Sequence, residues 1–198
     1  MLDPALAAQL RGHLDQLAHP VRLLASLDDS VAARTMRSLL DAVAGLGARV
    51  SLEEAPDPPT PSFAVQGAGA AGAVRFALAP QGSQFTSLVL ALLQAGGRPP
   101  RIEPALAQRI RDLEGDFLFE TYISFDCHNC ADVVQMLNAM AALNPRIRTV
   151  AIDGSLFRDE AEARDVRVVP MSFLNGAHFG QGRTSIEEIL ARLEAGAG

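Results

Sequence analysis

Apolar positions recur every three to four residues over 4–17 (PALAAQLRGHLDQL), 30–46, 83–96, 104–113, 129–143 and 184–196. That period predicts amphipathic helices. Between them lie short runs rich in β-branched and aromatic residues: 21–27 (VRLLASL), 48–55, 62–67, 74–79, 117–125 (FLFETYISF), 147–153, 171–176 and 177–182. These predict strands, and DEAEARD at 159–165 predicts one further short helix. The order helix, strand, helix, strand, strand pair, helix occurs twice. The pattern predicts an α/β protein with a mixed sheet in each half.

Two breaks punctuate the pattern. EEAPDPPTP contains Pro56, Pro58, Pro59 and Pro61, and QAGGRPPRIEP contains Gly96, Gly97, Pro99, Pro100 and Pro104. Neither can continue a helix or a central strand. The second falls at mid-chain and predicts a boundary between residues 1–100 and 101–198. The halves also agree in letters. LASLDDSVA resembles YISFDCHNC at a strand-to-helix turn, and PSFAVQG resembles PMSFLNG after a proline. Such self-similarity marks an internal duplication. It sets Asp29 where Cys127 stands and Ala32 where Cys130 stands, so only the second copy carries thiols.

Composition narrows the classes. Hydrophobic residues make up 48% of 198 residues, enough for a core, yet no apolar run approaches the ~18 residues of a membrane span. The net charge is −6, every basic residue is Arg, and no Arg cluster marks a nucleic-acid surface. The first ten residues lack the basic region of an export signal. A cytoplasmic setting is expected, where a C-x-x-C pair is catalytic or metal-binding more often than structural.

The only two cysteines are Cys127 and Cys130 in DCHNC. A strand runs into them and a helix starts on them. Extending the apolar period of Val133, Val134 and Leu137 backward puts Cys130 on the buried face and Cys127 at the exposed tip. The helix start supplies free N–H groups and the positive end of the macrodipole, both of which favour a thiolate at Cys127. Asp126, one residue earlier, opposes that effect. Structural zinc needs four ligands, and His13, His19 and His178 are dispersed. Haem attachment needs C-x-x-C-H, and Ala131 follows Cys130. Inert buried cysteines are the remaining alternative. The strand–turn–helix context points to a thioredoxin-like dithiol. Pro170, at the start of the next strand pair, is expected to be the cis-proline that accompanies such a dithiol, and Pro61 its counterpart in the first half. GAGAAG at 67–72 matches G-x-G-x-x-G, but a second strand follows it instead of a helix. It predicts a hairpin turn in which glycine supplies unusual backbone angles, with no nucleotide site.

FETYISFDCHNCADVVQMLNAMAALNPRIRTVAIDG and GQGRTSIEEIL are similar to the N-terminal domain of the alkyl hydroperoxide reductase flavoprotein, and the likeness extends over the whole chain. The resemblance implies two tandem thioredoxin-like folds fused into one unit, with the dithiol only in the second. It implies no cofactor in this chain, and FAD and NADH in a flavin module that follows it. That module's dithiol and the peroxiredoxin subunit are the implied redox partners, with no nucleic acid and no membrane involved. Cys127 and Cys130 match the family dithiol; His128 and Asn129 lie between them. The family commonly carries Glu near the dithiol where this chain has Gln84, and a small hydroxyl residue where it has Asp126. The alternatives are a free-standing thioredoxin- or glutaredoxin-like disulfide reductase and a docking module with incidental cysteines.

Overall fold

The computed structural model describes residues 3–195. The first half comprises α1 (Pro4–Leu14), β1 (Val21–Ser26), α2 (Val31–Leu46), β2 (Val50–Glu54), β3 (Ser62–Gly67), β4 (Ala73–Ala77) and α3 (Ser83–Ala95). The second comprises α4 (Pro104–Asp112), β5 (Phe117–Ile123), α5 (His128–Leu143), β6 (Ile147–Asp153), α6 (Arg158–Ala163), β7 (Met171–Leu174), β8 (Ala177–Gln181) and α7 (Ile186–Ala195). The expected elements are all present; the expected end of the last helix at Gly196 lies outside the described residues.

The duplication extends to the caps. Asp3 accepts hydrogen bonds from the amides of Ala5 and Leu6 ahead of Pro4, and Glu103 accepts from Ala105 and Leu106 ahead of Pro104. In both copies a carboxylate occupies the N-cap and a proline the first helical position, where its missing N–H costs nothing. Strand pairing repeats too. β1 is parallel to β2 and antiparallel to β3, which pairs antiparallel with β4; β5 stands in the same relation to β6, β7 and β8.

The sequence suggests a sheet in each half, but the strands form one. β4 pairs in parallel with β6, Ala73–Ala77 lying against Arg148–Ile152, and the order is β2-β1-β3-β4-β6-β5-β7-β8. Joining the two edges satisfies backbone groups that each fold would otherwise leave open.

One face of this sheet carries the main core. Leu23, Phe63, Phe76, Phe119 and Ile123 meet Met36, Leu40, Leu88, Leu92, Val133 and Leu137 from α2, α3 and α5. On the other face, α6 covers a smaller cluster containing Tyr122, Ile152, Met171 and Phe173. The first half has no helix in the place of α6. There Arg22, Glu53 and Gln66 form an exposed polar network, and the proline-rich segment folds back beside it, with Thr60 bonded to Ser26 and Arg75 bonded to Ser62 and paired with Asp57.

The glycine-rich turn at 67–72 is the expected hairpin between β3 and β4, but the reason for glycine is space. None of Gly67, Gly69 and Gly72 is among the positive-φ glycines. A Cβ on Gly69 would sit 2.2 Å from the amide nitrogen of Gly97, and one on Gly72 would sit 2.2 Å from the carbonyl oxygen of Ile147. The turn is wedged against the ends of α3 and α5, and only a residue without a side chain fits.

Candidate active site

β5 ends at Ile123 and α5 begins at His128, so the turn between them carries Asp126 and Cys127 at the carboxyl edge of the sheet. Cys127 is the N-cap of α5, and no side chain caps that helix. The equivalent turn of the first half is conventional by contrast. Ser30 caps α2 by accepting from the amide of Ala33, and Asp28 accepts from the amide of Ser30. Those hydrogen bonds, the serine hydroxyl's foremost, hold the Asp28 carboxyl below its usual range. Where the first copy commits a helix-start amide to a serine, the second leaves its amides facing a sulfur.

Cys127 and Cys130 form a disulfide, with Cα atoms 5.4 Å apart. The two sulfurs are in different environments. Cys130 is fully buried among the residues of α5 and β5. Cys127 is half-buried, and its Sγ lies 3.6 Å from the carbonyl oxygen of Val169. The Val169–Pro170 bond is cis, and so is Thr60–Pro61 in the first half; Pro58–Pro59 is a third cis bond that the sequence did not suggest. Pro170 is thus directly beside the dithiol, and Val168, next along the loop, is 48% exposed.

The remaining candidates divide. Asp126, His128 and Asn129 are all exposed around Cys127. Gln84 is in the first turn of α3, 1% exposed, and neither its Oε1 nor its Nε2 has a hydrogen-bond partner among the described residues. Its helix packs along α5, joined to it by a bond from Gln135 Nε2 to Ser87 Oγ of 3.2 Å. No hydrogen bond connects Gln84 to either cysteine.

One cluster was missed by sequence reasoning. Arg164, at the end of α6, makes a bidentate pair with Glu120 of β5 (2.8 and 3.2 Å) and stacks over the rings of Tyr122 and Phe173. Tyr122 Oη donates to Glu160 at 2.5 Å. Burial and that carboxylate push the Tyr122 phenol well above its ordinary pKa. The cluster fastens α6, and with it the start of the Val169–Pro170 loop, to the strands on either side. The only signal in the sequence is the single Arg of DEAEARD, which no periodicity distinguishes from a solvated one.

The fold and the site define a thioredoxin-like disulfide oxidoreductase: a doubled fold with one asymmetric dithiol at the start of a helix and a cis-proline against it. No family model matches the chain. It is 49% identical over its whole length to the alkyl hydroperoxide reductase flavoprotein AhpF of Pseudomonas aeruginosa and 41% identical over 99% of its length to an NADH dehydrogenase of Bacillus subtilis. The chain spans 38% of the length of each. The crystal structure of the N-terminal domain of alkylhydroperoxide reductase AhpF from Enterococcus faecalis superposes with a TM-score of 0.87 at 26% identity, covering 98% of this chain and all of that one. The chain belongs to the AhpF family of alkyl hydroperoxide reductases and corresponds to its N-terminal domain.

Proposed function

We propose that the chain relays electron pairs from a flavin module to the disulfide of a peroxiredoxin, which in turn reduces hydroperoxides. NADH and FAD supply the electrons within the flavin module, whose own dithiol reduces the Cys127–Cys130 disulfide. Residues 1–100 serve as a brace without thiols, and residues 101–198 carry the chemistry.

The observation that carries this reading is the asymmetry of the dithiol, one sulfur accessible and the other enclosed. In the reduced chain Cys127 is the attacking group. The uncapped amides of α5 and the helix dipole lower its pKa from the ~8.5 of a free thiol. The Cys127 thiolate attacks one sulfur of the peroxiredoxin disulfide, forming a mixed disulfide and releasing the other sulfur as a thiolate, which takes up a proton. Cys130 loses its proton and attacks Cys127 Sγ; the Cys127–Cys130 bond forms and the second peroxiredoxin thiol leaves. Two electrons have moved, and the peroxiredoxin dithiol holds two protons. Pro170 and the Val169 carbonyl face the incoming disulfide, and His128 and Asn129 border it. Gln84 and Asp126 adjust the charge felt by the Cys127 sulfur.

Cys130→Ser tests the reading, because it removes the resolving sulfur while leaving the attacking one. Mixing the reduced variant with the oxidised peroxiredoxin of an alkyl hydroperoxide reductase system is expected to accumulate a covalent adduct through Cys127. Equal trapping of many unrelated disulfide proteins instead assigns a general disulfide reductase, and no adduct with a correctly folded variant refutes dithiol chemistry.

A further inference from the structure

Beside the dithiol lies an open groove of about 720 Å³. Its walls come from both halves: Leu39 of α2, Pro80 from the turn before α3, Phe125 from the turn before Cys127, and Asp153 and Leu156 after β6. Asp153 is the only charged residue in the lining. It is 8% exposed, and no Arg or His lies within ion-pair distance of it among the described residues. One carboxylate oxygen, Oδ1, accepts from the amide and hydroxyl of Ser155 at 2.9 and 2.7 Å. Oδ2 has no hydrogen-bond donor, although the buried side-chain atoms without partners lie elsewhere, at Gln84, Gln94 and Asn138. A largely desolvated carboxylate with one oxygen free and no counter-charge favours a cation brought to it.

We infer that this groove docks an extended segment of the disulfide-bearing client, with a Lys or Arg of that segment seated on Asp153. The inference rests on the relay reading above. It commits to the client and not to the electron donor because a donor joined to the same polypeptide has a high effective concentration, whereas the encounter with a separate client depends on contacts. The apolar walls at Leu39, Phe125 and Leu156 suit the stem of a long basic side chain and its neighbours. Geometry limits where that residue stands. Asp153 is the strand partner of Ile123, so the two are roughly 5 Å apart. The four residues from Ile123 to Cys127 span at most ~14 Å. A basic residue about two to five positions from the attacked cysteine therefore reaches Asp153 while the client's sulfur meets Cys127.

The test uses short peptides carrying a cysteine–thionitrobenzoate mixed disulfide, with Arg, Ala or Glu placed two to five residues from the cysteine. The pre-reduced chain is mixed with each peptide. Each turnover oxidises one Cys127–Cys130 pair and releases one thionitrobenzoate and one peptide thiol. The second-order rate constant for the best-placed Arg peptide is expected to exceed that for Ala by about tenfold, the size of one charge-assisted hydrogen bond. Asp153→Asn keeps the acceptor that Ser155 uses and is expected to abolish that preference. Glu187→Gln, which removes one exposed charge on α7, is expected to preserve it. Thr35→Trp, at an exposed position of α2 on the groove wall, is expected to slow every peptide while leaving the small aromatic disulfide of Ellman's reagent unaffected. An Arg preference that survives Asp153→Asn, or that Glu187→Gln removes equally, overturns the inference. Failure of the wild-type chain to reduce oxidised peroxiredoxin overturns the relay reading instead, and the peptide series separates the two.

Discussion

Gln84→Met is expected to make the protein more stable. The side chain is 1% exposed, and both amide atoms are buried without partners. A buried polar group left unpaired costs about 1–3 kcal/mol. Methionine has nearly the same length and volume and no group to satisfy, so the swap removes that cost with little repacking. Taking about 2 kcal/mol for the amide as a whole, and a response of about 2–4 °C per kcal/mol for a chain of this size, the melting temperature rises by about 4–8 °C. Urea denaturation of the oxidised protein followed by far-ultraviolet circular dichroism checks it, with an unchanged slope and a higher midpoint expected. Gln94 provides an internal scale: only its Oε1 is buried without a partner, so Gln94→Met is expected to give about half the gain. A Gln84→Met protein no more stable than the parent refutes the reasoning. The accompanying expectation is a slower reaction with peroxiredoxin, since a strained polar group kept in a core beside a reactive helix is the usual mark of a functional constraint.

Charge near the sulfur gives the next expectations. Asp126→Ser is expected to lower the Cys127 pKa and Gln84→Glu to raise it, read from the pH dependence of iodoacetamide alkylation of the reduced protein; no response in either variant removes both residues from the site. Tyr122 is the chain's single tyrosine, and there is no tryptophan, so its phenolate absorbance is an isolated signal. Burial, then the Glu160 hydrogen bond, raise its pKa in the folded state. Its contribution to stability is complete below the ordinary value of ~10 and is lost as pH rises beyond that toward the folded value. Phenolate is expected to appear together with unfolding, and a folded protein titrating near ~10 contradicts this. A Cβ at Gly72 would meet the backbone oxygens of Ile147, Ala141 and Asn144 at 2.2, 2.7 and 2.7 Å, so Gly72→Ala is expected to cost more than about 3 kcal/mol in urea melts.

Much of this protein is legible in its letters because its physics is local. The burial of Cys130 follows from the period of Val133, Val134 and Leu137, and the exposure of Cys127 from its place at the helix tip. Pro170 was readable because its position and the dithiol agree. The repeated PALA segment after Asp3 and after Glu103 is a further local signal of the duplication. What was not legible depends on partners distant in sequence. The β4–β6 pairing has no pattern of its own, since an edge strand and a central strand share the same alternation. Gly69 and Gly72 looked like residues chosen for backbone angle; only the nearby ends of α3 and α5 reveal that the need is for room. Asp153 reads as the end of an ordinary strand until the groove beside it is seen.

The parallel pairing of β4 with β6 has a mechanical consequence. Five register pairs tie the two halves into a single sheet, and α3 lies along α5 across the same seam. No hinge remains between the brace and the reactive half. The dithiol is therefore fixed on a rigid beam, and the walls of the groove cannot part or close by rotating one half against the other. If Cys127 is to face an electron donor and then a client, the whole beam must turn between them. The time each electron pair spends in transit then depends on the rotation of a solid body of about two hundred residues, and the joint that allows it lies beyond the eight strands.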